Sequence, residues 1–90
     1  MAVAAIITKI MPNSPDENLE NIKTKAKASM ESLGAMNISF EEQDIAFGLK
    51  AIMMKMAWPE EKATEIIEEA ISKIEGVSSA QIVDYRRAFG

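Results

Sequence analysis

The sequence contains no cysteine and no histidine. Disulfides and thiolate metal sites are excluded, and a transition-metal site would have to rest on carboxylates alone. Without histidine, Ser14, Ser78 and Ser79 have no ordinary base to activate them, which removes the usual serine nucleophile. Positive charge is also short: the net charge is −4, against the clustered basic surface that nucleic-acid phosphates require. No apolar run approaches the roughly 20 residues of a membrane helix. The opening MAVAAIITKIM lacks a basic leader and carries Lys9 inside it, so it reads as a buried strand rather than a signal peptide. These absences lead us to expect a cytoplasmic chain with no cofactor, no metal, no direct nucleic-acid contact and no membrane contact.

What remains is 90 residues, too few for two cores, so residues 1–90 are expected to form a single domain. Val3, Ile6, Ile7, Ile10 and Met11 suggest a first strand largely covered on both faces. Ser14-Pro15-Asp16-Glu17 suggests a helix start, with Ser14 as N-cap, Pro15 at the first helical position and Glu17 completing a capping box. Leu19, Ile22, Ala26, Met30 and Leu33 then share one face of a helix over residues 15–33, ended by Gly34.

Met36, Ile38 and Phe40 alternate with polar residues as a half-buried edge strand does. Leu49 to Trp58 forms a third strand, joined to this edge strand by a short glycine-containing link. Pro59 ends it, and Glu60-Glu61 suit the start of a helix that turns Ile67, Ala70, Ile71 and Ile74 inward. Gly76 stops that helix, Val77 to Tyr85 forms the last strand, and Arg86 to Gly90 reads as a basic tail. The order β-α-β-β-α-β predicts an α+β, ferredoxin-like sandwich: a four-stranded antiparallel sheet with two helices on one face. Met53, Met54 and Met56 read as adaptable core filler rather than a soft ligand box.

The fold alone assigns no function. RNA recognition through the sheet needs stacking aromatics that the two central strands lack. Acyl-phosphate hydrolysis would need an arginine in the loop MPNSPD, which has no cation. Glu41-Glu42 and Glu60-Glu61 sit in solvent-facing contexts unsuited to acid–base work, so a binding protein is expected rather than an enzyme. The acidic groups near Glu41-Glu42-Asp44 and from Glu60 to Glu75 are either solvated faces or a surface for a basic partner. Phe47-Gly48 is the unusual feature, because turns ordinarily carry small polar residues. Either the ring folds back onto its own core, or it meets a partner.

KIMPNSPD, DIAFGLKA and IEGVSSAQIVDYRR, taken together, make the chain resemble archaeal translation elongation factor 1-beta, the exchange-factor family for elongation factor 1-alpha. The resemblance runs from end to end. It implies a factor that accelerates GDP release from its GTPase without bond chemistry of its own. It also implies two contact ends. One grips the partner through Phe47 as an apolar anchor, with Ser14, Ile45, Ala46 and Gly48 around it. The other, with Arg86, Arg87 and Phe89, disturbs the GTPase domain, and strands of eight or so residues would separate the two by roughly 25 Å. Eukaryotic members place a lysine near the chain end to displace magnesium, whereas this chain ends RRAFG. Guanidinium differs from ammonium in shape and hydration, which shifts the expected action toward sterics, with Phe89 pressing on a switch segment. The protein is expected to be a monomer. The alternative is a small-molecule-sensing regulatory domain of the same fold, dimerising through an open sheet face that offers Ala2, Ala4, Ala51 and Met53.

Overall fold

The computed structural model describes residues 2–88. The elements are β1 (Val3–Pro12), α1 (Leu19–Ser32), β2 (Met36–Ala46), β3 (Leu49–Pro59), α2 (Glu65–Ser72) and β4 (Val77–Ala88). The strands form one antiparallel sheet in the order β2-β3-β1-β4, as the ferredoxin-like pattern predicts. Both helices cover the same face. Ala4, Ile6 and Ile10 of β1 and Ile52, Met54, Met56 and Trp58 of β3 meet Ile22, Ala26 and Met30 of α1 and Ile67 and Ile71 of α2 in one buried cluster. Burial of this apolar area drives folding. Among the described residues, no helix is long and apolar enough to cross a membrane.

Several expectations need correction. β1 alternates buried and half-open residues, because helices cover one face only. Ala4 therefore belongs to the core and not to the open face, and Ala51, though in register with Gln43, is fully buried. α1 begins four residues later than expected: Asn18, not Ser14, is the N-cap, its side chain accepting from the Asn21 N–H at 3.1 Å. Ser14 instead closes a turn, its carbonyl accepting from the Glu17 N–H and its Oγ from the Asp16 N–H, both at 3.3 Å. Proline at the second position of that turn uses the same fixed φ that a first helical position would. Asn and Ser cap about equally well, so local chemistry alone leaves two starts open. The exit of α1 follows expectation: Gly34 at φ 102° sends its N–H to Glu31, and Ala35 sends its N–H to Met30, a left-handed C-cap motif.

α2 likewise starts at Glu65, not at Glu60. Residues 60–64 form a loop fastened by Trp58, whose indole N–H donates to the Lys62 carbonyl at 3.2 Å. Lys62 in turn donates its ammonium to the Leu33 carbonyl, placing a cation at the negative end of α1. In β2, one extra residue lies between Met36 and Ser39, with Asn37 at φ 55°. This bulge breaks the alternation, so Met36 does not share a face with Ile38 and is 46% exposed.

Candidate functional site

One end of the sheet gathers the β1–α1 loop, the β2–β3 hairpin and the turn into β4. Asn13 donates its N–H to the Gly76 carbonyl at 2.8 Å, tying two of these segments together. The hairpin turns on two residues, Phe47 at φ 55° and Gly48 at φ 80°. Positive φ at both central positions matches the right-handed twist of the flanking strands, and it is a geometry that Asn-Gly fills without strain. A Cβ built on Gly48 would meet only the Pro15 Cβ at 3.9 Å, so it is the φ and not the space that calls for glycine. Phe47 has no such licence, since a bulky residue in the left-handed region is an outlier.

The Phe47 ring is 100% exposed. It does not fold back onto its own core, which settles that part of the choice left open by the sequence. Just before it, Ile45 is an extra residue in β2 and is 40% exposed, so the tip carries two unpacked apolar side chains with Ala46 between them. Beside the tip runs a cleft of about 220 Å³ lined by Pro12, Ser14, Pro15, Glu17, Gly48 and Lys50, among others. The structure thus brings Ser14 and Gly48 to one cleft and Ile45 and Phe47 to the adjoining tip.

A charge cluster braces the helix against this hairpin. Lys23 of α1 donates to Glu42 of β2 at 2.7 Å and to Glu20 at 3.0 Å. The hydrogen bond from Lys23 holds the Glu42 carboxyl below its usual 4.5, and Glu42, then Glu20, raise the Lys23 ammonium above its usual 10.5. Stability from Glu42 is therefore full above pH 4.5 and is lost as pH falls through its lowered value. Stability from Lys23 is full below pH 10.5 and is lost only above its raised value. Thermal melts of wild type and Glu42→Gln between about pH 3 and 7 are expected to differ at the neutral end and converge at the acid end, with the gap narrowed by salt. A constant gap would show that the carboxylate charge contributes nothing.

The opposite end is built by the start of β1, the end of β3 and the end of β4. β4 does not stop at Tyr85: Arg86 pairs with Ala5 and Arg87 with Ala4, so both arginines belong to the ladder rather than to a tail. Edge-strand pairing with β1 carries the chain on where composition alone suggests an end. The register sends Arg87 to the helix face, where it meets Glu60 at 3.4 Å, and Arg86 to the open face, where it meets Asp84 at 3.2 Å. Both guanidinium side chains stay largely exposed. Phe89 lies outside the described residues. The sequence presents Glu60 as a helix start and not as an arginine partner, since no local pattern links residues so far apart in the chain.

The two ends lie farther apart than expected. β3 has 11 residues, which at strand rise separates them by roughly 33 Å, in a molecule 41 Å long. At the end that carries the arginines, the open face has a shallow apolar depression lined by Val3, Ala5, Asn37 and Ala57.

Residues 5–88 match the EF-1 guanine nucleotide exchange domain. The chain is 39% identical to an elongation factor 1-beta of Methanosphaerula palustris over 85 residues, covering 93% of this chain and 95% of that protein. It is 42% identical to that of Methanosarcina barkeri over 86 residues, 94% of this chain and 96% of the relative. The elongation factor 1-beta of Methanocella arvoryzae is 39% identical over 90 residues, 99% of this chain and 100% of its own length.

Proposed function

The chain belongs to the family of EF-1 guanine nucleotide exchange domains, and from that premise we propose that it promotes GDP release and GTP loading on elongation factor 1-alpha through two separated contacts. It does so as a monomer and without bond chemistry of its own. The observation that supports the grip most directly is Phe47: a fully exposed ring on a left-handed backbone, both features costing stability with no return inside the fold. A partner pocket that takes the ring supplies that return, roughly 1.5–3 kcal/mol on burial. Arg86 and Arg87, roughly 33 Å away, reach a different part of the same partner.

Exchange by such a factor is a matter of differential affinity. The factor binds the nucleotide-free GTPase more tightly than the GDP-bound form, and by linkage GDP binds the complex more weakly by the same ratio. A thousandfold effect needs only about 4 kcal/mol, within reach of a few anchors. Titrating the protein against elongation factor 1-alpha with and without saturating GDP tests this. The affinity ratio is expected to equal the weakening of GDP in the complex; equal affinity for both forms would rule the reading out.

A further inference from the structure

We propose that Glu68 is a positioning residue for the C-terminal contact end, an inference that rests on the exchange function proposed above. β4 contains an extra residue, Val83: Ile82 stands opposite Thr8, but Asp84 stands opposite Ile7. The bulge shifts the alternation by one, and every residue beyond it depends on that shift. Because of it Tyr85 faces the helices opposite Ile6, Arg87 does so opposite Ala4, and Arg86 faces the open side opposite Ala5. A strand that absorbed Val83 into the ladder would exchange the faces of all three.

The bulge lies on an edge of the sheet. β4 is an edge strand, held by pairing on one side only, and the neighbouring Thr8 Oγ1 is buried with no hydrogen-bond partner. Against this, Glu68 Oε2 accepts the Ile82 backbone N–H at 2.9 Å. Ile67 and Ile71, fully buried, fix α2 on the core, so the carboxylate reaches the strand from an anchored helix and holds it just ahead of the extra residue. Bulges commonly re-aim side chains beside functional surfaces, and here the residues re-aimed are the arginines.

The test uses the full chain with Glu68→Ala and Glu68→Gln. Gln keeps an acceptor oxygen and is expected to retain wild-type acceleration of fluorescent GDP release from elongation factor 1-alpha. Ala is expected to lower it by about fivefold or more, and adding Arg86→Ala and Arg87→Ala to Glu68→Ala should then cost far less than it does in the wild type, as coupled positions require. Amide exchange at Ile82 and the nuclear Overhauser contact between Ile6 and Tyr85 read the bulge without the partner; both are expected to weaken in Glu68→Ala. Unchanged protection and contact in that variant would overturn the holding role. A lost contact with undiminished exchange would overturn the positioning role. If the folded wild type itself gives no acceleration, the exchange reading fails, while the two spectroscopic readings still decide whether Glu68 holds the bulge. Should Glu68→Ala not fold, Glu68→Asp, one methylene short of Ile82, takes its place with the same outcomes.

Discussion

Replacing Phe47 by asparagine is expected to stabilise the free protein while weakening its hold on the GTPase. The two effects have separate causes. A left-handed residue other than glycine costs roughly 1–2 kcal/mol, and asparagine escapes much of that. Asn-Gly is moreover the preferred pair for a two-residue hairpin with both φ values positive. A gain of about 1 kcal/mol would raise the melting temperature of a domain this size by roughly 4–8 °C. The same change removes the ring that would fill a partner pocket, and a loss of roughly 1.5–3 kcal/mol corresponds to about 10- to 150-fold in affinity. Thermal melts and a titration of GDP-release rate against factor concentration read both. A lower melting temperature would mean that the ring supports the hairpin after all, and an unchanged titration would remove Phe47 from the interface.

The double variant Arg86→Ala, Arg87→Ala is expected to fold normally and to lose most of its exchange activity. Exposed pairs such as Arg86–Asp84 and Arg87–Glu60 each contribute only about 0–1 kcal/mol to stability. Hydrogen bonds to charged groups at an interface are worth about 1.5–3 kcal/mol apiece, so losing two should slow saturated GDP release by roughly 150-fold or more. The loss is expected in the rate at saturation more than in the half-saturating concentration, since the hairpin end, proposed to grip the partner, is untouched. Truncation after Tyr85 is the poorer experiment, because Arg86, Arg87 and Ala88 all pair with β1 and their removal would shorten the sheet. Wild-type release by the double variant would confine the function to the hairpin end.

How much of this was legible in the chain follows from how local each cause is. The phase of α1 could be read from Leu19, Ile22, Ala26 and Met30, and Gly34 marked its end, because a helix advertises its buried face at fixed spacing. Its start could not, since Ser14 and Asn18 are both good caps and the choice depends on how the loop crosses the end of the sheet. Bulges at Asn37, Ile45 and Val83 were invisible for a related reason: one extra residue leaves composition unchanged and shifts only the pairing, which is a property of two strands. Arg86 and Arg87 looked like a tail because charge at a chain end usually marks one, yet the register with Ala5 and Ala4 continues through them. Phe47 stood out in the sequence as a residue out of place in a turn, while its full exposure and positive φ required the structure. The Glu68 contact to Ile82 joins a helix to a strand 14 residues on, and no pattern announces it.

If this protein loosens GDP from elongation factor 1-alpha, release of a fluorescent GDP analogue into excess unlabelled nucleotide shows it without intermediary. Acceleration is expected to rise with the wild-type protein and saturate, reduced by Phe47→Asn through affinity and by the arginine double variant through the limiting rate. A folded, monodisperse wild-type protein that leaves the release rate unchanged at every concentration would contradict the proposed exchange function.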